Sequence, residues 1–372
     1  MSKLFEPVRL GALQLQNAVV MAPLTRSRAT VDGVPQSIAR DYYEQRASAG
    51  LLITEGTQPS AAGQGYARTP GIHSQQQAAG WRAINDAAHG KGAKTVLQIM
   101  HVGRIAHPLN RTISDSPVAP SAVRPAGQMW TDQQQMQDFP TPRALETAEV
   151  KALVDEFVAA SILAIDAGFD GVEIHAANGY LHNQFLASNS NQRTDAYGGS
   201  IQNRIRFTVE TAEAISSAIG ADRTAIRLSP GHMFNDIADA NPVETHVALL
   251  DALKTADLAY VHLMLPDAFA PQLNNAGDVP TLVSTMRAHT KGNLIAAGGY
   301  TKEKAEAALA SGQLQAVVFG RPFIGNPDLV ARLKNNWPLA EANPDQFYTP
   351  GPEGYSDYPA YKAQLPFPHG RA

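Results

Sequence analysis

Cysteine is absent from all 372 residues. This excludes disulfides, a thiolate nucleophile and cysteine-ligated iron–sulfur clusters. A dense basic tract is also missing: 30 Lys and Arg stand against 34 Asp and Glu, a net charge of −4, so neither nucleic acid nor an anionic membrane is an expected partner. No apolar run is long enough to span a bilayer, and the opening Met-Ser-Lys-Leu-Phe-Glu lacks an export-type apolar core. A cytoplasmic protein, monomer or homodimer, is the expectation. The hydrophobic share of 44% suffices for a large core, and the length suits one barrel domain over residues 1–372.

Short apolar segments recur along the whole chain. Val19–Ala22, Leu51–Thr54, Thr95–Ile99 and Val172–Ile174 read as strands, followed by Ala225–Leu228, Tyr260–Leu263, Leu294–Ala297 and Ala316–Phe319. Helix-period segments separate them, the clearest carrying Val150, Leu153, Val154, Phe157, Ile162 and Ile165 on one stripe. Helix starts are legible at Ser74 with Gln77 in capping-box spacing, at Asn241-Pro242 with Glu244, at Asn326-Pro327 and at Ser200. Eight strands alternating with helices predict an α/β fold, a (β/α)8 TIM barrel. A doubly wound open sheet is the alternative, but no Gly-x-Gly-x-x-Gly turn follows the first strand. The segment from Met100 to Glu146 exceeds an ordinary βα loop and reads as a capping lid after strand 3. The residues after Trp337 read as a C-terminal tail folded back onto the body.

Strand parity separates polar from aliphatic residues. Leu97, Ile99, Val172, Ile174, Ile226 and Leu228 fall on the helix-facing side, which leaves Gln98, His175 and Arg227 pointing into the barrel near its C-terminal mouth. Active sites of this fold are built there. A guanidinium inside a barrel needs an anion, supplied by Glu55, by Glu173 or by a ligand. Ala297-Gly298-Gly299-Tyr300 follows the seventh strand and Phe319-Gly320-Arg321-Pro322 the eighth, where phosphate-binding barrels offer backbone N–H groups. Just beyond the fourth strand, His175, Asn178 and Tyr180 stand at i, i+3 and i+5. If the chain turns helically there, His175 and Asn178 can aim donors at one oxygen while Tyr180 supplies a proton. Such a cluster suits polarisation of a carbonyl or nitro group.

These stretches, together with Met21-Ala22-Pro23-Leu24-Thr25-Arg26, Gln98-Ile-Met100-His101-Val-Gly-Arg104, Arg193-Thr-Asp-Ala-Tyr-Gly-Gly199 and Gly354-Tyr-Ser-Asp-Tyr-Pro359, resemble the old yellow enzymes, FMN-dependent ene-reductases. The resemblance spans nearly the whole chain in order. It implies FMN at the barrel mouth and NADPH or NADH as hydride donor. Pro23, Leu24 and Thr25 would lie along the isoalloxazine, Gly56 and Gln98 on its pyrimidine side, and Arg227 by N1 and O2. Gly298, Gly299, Phe319, Gly320 and Arg321 would hold the phosphate end. His175 and Asn178 would bind the oxygen of an activated alkene or nitro substrate, and Tyr180 would protonate it. Thr25, Met100 and Tyr348 would complete the substrate pocket. Thr25 in place of cysteine points to the classical branch, and Met100, where tryptophan is frequent in one bacterial branch of the family, implies a roomier pocket. Two other classes stay open: a metal-dependent barrel hydrolase using His175, His101 and His262, and a flavin-binding protein without turnover.

Overall fold

The computed structural model describes residues 2–266 and 273–361. Eight parallel strands close into a barrel: β1 (Val19–Met21), β2 (Leu51–Ile53), β3 (Lys94–Ile99), β4 (Gly171–Ala176), β5 (Thr224–Leu228), β6 (Tyr260–Met264), β7 (Leu294–Ala297) and β8 (Ala316–Phe319). Each expected strand is present within two residues of its expected ends, and β8 pairs with β1 to complete the ring. The strands are buried on both faces because helices wrap the outside. Those helices include α1 (Ser37–Gln45), α2 (Gln75–His89), α3 (Thr147–Asp166), α4 (Ile201–Ile219), α5 (Pro242–Leu253), α6 (Val279–His289), α7 (Lys302–Ala310) and α8 (Leu329–Asn335). At the N-terminal end a hairpin of Val8–Leu10 and Leu13–Leu15 lies beneath β5, with Ala12 N–H donating to the Asp222 carbonyl at 2.9 Å.

The capping box at Ser74 and Gln77 forms as expected, and Ser200 accepts the Asn203 N–H at 3.3 Å. Two details differ from the sequence expectation. Asn326 does not cap α8, which begins at Leu329 with Asp328 at its N-cap; its side chain instead bonds the Pro322 carbonyl and both backbone groups of Ala340, fastening the tail. Along α3 the buried face continues from Phe157 through Ser161 and Ala164, leaving Ile162 exposed, since five residues past Phe157 lies off the 3.6-residue stripe.

Residues 100–146 do form a cap. It contains the hairpin Gln128–Thr131 with Gln135–Asp138, and Val118–Ala119 pairs in parallel with Arg143–Ala144. Its apolar side chains Met100, Val102, Ile105, Met129 and Phe139 form a second small core, separate from the barrel's, with Tyr180 inside it. The Arg193–Gly199 loop anchors this cap from below, through Arg193 donating to the Pro120 carbonyl at 2.9 Å.

The tail after α8 is held by arginines. Arg28 donates to the carbonyls of Gly351, Phe347, Gln346 and Glu353, and Arg26 to those of Phe347 and Gly354. Tyr355 stacks on Tyr42 at 4.1 Å between ring centroids, and the Arg28 guanidinium carbon lies 4.7 Å from the Tyr355 ring centroid.

Candidate active site

The barrel interior is polar along one set of strand positions. Glu173 on β4 accepts from Gln98 Nε2 at 2.7 Å and from His262 Nδ1 at 2.9 Å. Strands β4 and β6 are separated by β5, so a bond between them crosses the inside of the ring. Gln98, His175 and Arg227 therefore fall on the inward set of strand positions, as alternation predicts: His175 is in register with Arg227, and Arg227 with His262. Of the two carboxylates considered for Arg227, Glu173 is the one that shares its electrostatic environment. Glu55 instead accepts the Arg26 backbone N–H at 3.1 Å, on the other side of the barrel. Burial works against the charged Glu173, but His262, Arg227 and the Gln98 amide outweigh it and hold its pKa below the ordinary value.

Above this floor lie two adjoining cavities. The first, about 340 Å3, is walled by Ala22, Pro23, Leu24, Val318 and Phe319, with Arg227 and Met264 at its base. Gly298, Gly299, Gly320 and Arg321 line it as well. Gly298 and Gly299 have φ of 147° and 61°, a backbone path that L side chains rarely follow and that leaves N–H groups uncovered ahead of α7. The second cavity, about 220 Å3, shares Pro23, Leu24, Met264 and Arg321 with the first and adds Thr25, Asn178, His232, Phe234, Phe347 and Tyr348. Flat apolar walls, a guanidinium at the base and an N–H-rich glycine turn beside Arg321 suit a planar aromatic ligand carrying a phosphate. On chemistry and shape the residues present fit FMN.

The turn after β4 differs from the helical one expected. The strand runs to Ala176, Asn178 takes a left-handed conformation with φ of 57°, and helix begins only at Leu181. Asparagine tolerates that region because its short amide bonds locally. Here the Asn178 N–H donates to Ser229 Oγ at 2.9 Å, and its carbonyl accepts from Asn235 Nδ2 at 2.8 Å. Asn178 thus reaches the second cavity through a pinned turn. His175 lies beneath, with its ring edge-on to Tyr180 at 4.9 Å. Burial, then the Arg227 charge, pushes His175 well below its usual pKa, so the imidazole is neutral at physiological pH. Burial raises Tyr180, which keeps its proton.

Gly56, Gln98, Met100, His175 and Tyr180 line neither cavity: Gln98 and His175 lie on the barrel strands and Tyr180 in the small core under the cap. A Cβ at Gly56 would come within 2.6 Å of Met100 Sδ, so the glycine makes room for that side chain, which packs under the cap. Sequence reasoning missed Tyr66, whose hydroxyl is 3.0 Å from that of Tyr180, and Asn235, which braces the Asn178 turn from a left-handed position of its own. No motif marks either. Met264 could have been found, because strand parity places it two residues above His262. Among the described residues no group of three or more His, Asp or Glu is placed to hold a metal ion. His262 is committed to Glu173, and His101 Nδ1 accepts the Gly103 N–H at 3.1 Å.

Comparison with known proteins agrees with this geometry. The NADH:flavin oxidoreductase / NADH oxidase family matches over residues 3–340. The chain is 40% identical to 12-oxophytodienoate reductase 7 of Oryza sativa subsp. japonica, covering 96% of this chain and 94% of that protein. It is 41% identical to a chanoclavine-I aldehyde reductase of Penicillium roqueforti, covering 98% of each. Among solved structures, the old yellow enzyme homologue from Zymomonas mobilis superposes with a TM-score of 0.92 at 40% identity, over 96% of this chain and 99% of that one. Morphinone reductase in complex with tetrahydroNAD gives 0.90 at 41% identity, over 99% of both. The chain belongs to the NADH:flavin oxidoreductase / NADH oxidase family, as an FMN-dependent oxidoreductase of the old yellow enzyme type.

Proposed function

We propose that this protein takes hydride from NADPH or NADH and reduces the C=C bond of activated alkenes: enones, enals, maleimides and nitroalkenes, with nitrate esters as further acceptors. The carrying observation is the pair of adjoining cavities, one suited to a phosphate-bearing planar ring and the other opening beside it onto Asn178, Thr25 and Tyr348. FMN held in the first cavity supplies the hydride chemistry.

The chain's own residues do the rest. Gly298, Gly299, Gly320 and Arg321 hold the phosphate, Pro23, Leu24 and Thr25 line the ring, and Gln98 and Arg227 serve its pyrimidine edge. His175, as a neutral N–H donor, and the Asn178 amide bind the substrate's carbonyl or nitro oxygen, where negative charge grows during reduction. Tyr180, protonated and held by the cap, gives its proton to the α-carbon. Phe234 and Tyr348, each about half exposed, flank the entrance and favour flat, apolar substrates.

One experiment decides between this reading and its rivals. The visible spectrum of the purified protein is recorded, NADH or NADPH is added anaerobically, and cyclohexenone follows. The expected result is a yellow protein that bleaches and then recovers its colour. Failure to bleach would mark a flavin store, and a colourless protein inhibited by chelator a metal enzyme.

A further inference from the structure

Glu173 is a fully buried carboxylate to which neither the family comparison nor the proposed reaction gives a task. It sits on β4 in register with Gln98 of β3, and it reaches past β5 to His262 of β6. An ionised carboxylate only accepts, and that fixes the orientation of Gln98 and His262; the buried Tyr260 of β6 also feels it, its pKa raised by burial and then by the Glu173 charge. Gln98 must turn its NH2 end to Glu173, which leaves the amide carbonyl as its remaining face. His262 must carry its proton on Nδ1. The next rung toward the mouth holds His175, Arg227 and His262 side by side on adjacent strands. Arg227 lines the first cavity together with Arg321, and of these two guanidinium groups it is Arg227 whose charge acts on the buried Glu173. A charge and two fixed hydrogen-bond orientations inside a closed barrel act on a ligand at the mouth with little screening.

We propose that Glu173 is a positioning residue of the flavin site, holding Gln98 with its carbonyl toward a ring N–H, fixing His262 as the Nδ1–H tautomer and offsetting the Arg227 charge beneath the ring. The proposal rests on the FMN reading above. It adds that Glu173 keeps the reduced, more negative ring less favourable than Arg227 alone would make it, because hydrogen bonds and charge near the pyrimidine edge set flavin electronics.

The test is the two-electron midpoint potential of the FMN-loaded protein, measured against reference dyes, for wild type, Glu173→Gln and Glu173→Asp. Removing the charge at constant shape is expected to shift the potential positive by about 30 mV, a roughly tenfold gain of the reduced form. Glu173→Asp, which keeps the charge, is expected to stay near wild type. An unchanged potential in Glu173→Gln with FMN bound overturns the proposal. A wild-type protein that binds no FMN overturns the FMN reading instead. Should Glu173→Gln fail to fold, nitrogen NMR of wild-type His262 decides the matter: the Nδ1–H tautomer supports the assignment, and the Nε2–H tautomer refutes it.

Discussion

The hydroxyls of Tyr66 and Tyr180 meet at 3.0 Å, although 114 residues separate them in the chain. Tyr180 sits at the N-terminal cap of the Leu181–Leu186 helix, and Tyr66 comes from the loop between β2 and α2. The contact holds the proposed proton donor in place and lowers the pKa that burial has raised. Tyr66→Phe deletes one neutral hydrogen bond, worth about 1 kcal/mol. The alkene-dependent reoxidation is therefore expected to slow roughly fivefold, with flavin reduction by NADPH or NADH unaltered. Stopped-flow measurement of both half-reactions checks this, and equal slowing of the two would contradict it.

In the proposed reaction His175 and Asn178 serve one substrate oxygen, His175 from the end of β4 and Asn178 from the pinned turn beyond it. Replacing both by alanine leaves the first cavity intact, so FMN retention is expected, while enone reduction falls by about 100-fold or more, as when an oxyanion donor is lost. Because burial and Arg227 keep His175 neutral, its donor role does not titrate near pH 6.5. Rates with cyclohexenone should show no inflection between about pH 6 and about pH 9. A rate that rises as pH falls through that range would point to a charged imidazolium.

Much of this architecture is readable in the sequence because it depends on local rules. Eight buried strands announce themselves by composition, and alternation along β3, β4 and β5 places Gln98, His175 and Arg227 inside. The glycine turn after β7 is legible for the same reason, since φ values of 147° at Gly298 and 61° at Gly299 admit little else. What stays hidden is pairing at long range. Tyr66 stands in an unpatterned loop, Glu173 looks like any acid in an apolar run, and Asn235 acquires its place only when the loop after β5 folds over the Asn178 turn. The turn itself misleads, because His175 and Asn178 have helical spacing yet the backbone turns left-handed at Asn178 before any helix begins.

Glu55 lies at the end of β2 beneath the arginines that hold the tail. Burial raises its pKa to about 7, against the pull of Arg26 and Arg28. A carboxyl whose pKa is higher folded than unfolded stabilises the fold fully below the unfolded value. That contribution is lost as pH rises from 4.5 through about 7. It amounts to up to about 3 kcal/mol. Glu55→Gln should remove it, so the stability difference between wild type and variant should change across this window in favour of the variant. Urea denaturation of both proteins at about pH 5 and about pH 8 measures the difference. A constant offset would show that Glu55 titrates near its ordinary value.

Arg28 makes the tail part of the site. Its guanidinium spends its donors on carbonyls of residues 346, 347, 351 and 353, and Arg68 reaches the Tyr348 carbonyl at 2.9 Å. Phe347 and Tyr348 thereby form one wall of the second cavity. Lysine cannot replace this fork, since a single ammonium offers three donors at one point rather than five in a plane. Arg28→Lys is expected to loosen the wall while sparing the barrel. KM for cyclohexenone should rise several-fold more than kcat falls, FMN should stay bound, and protease should cut the tail near residues 346–356 faster than in wild type. The link between tail and pocket fails if proteolysis accelerates while KM holds its wild-type value, because the tail would then be released without disturbing the pocket.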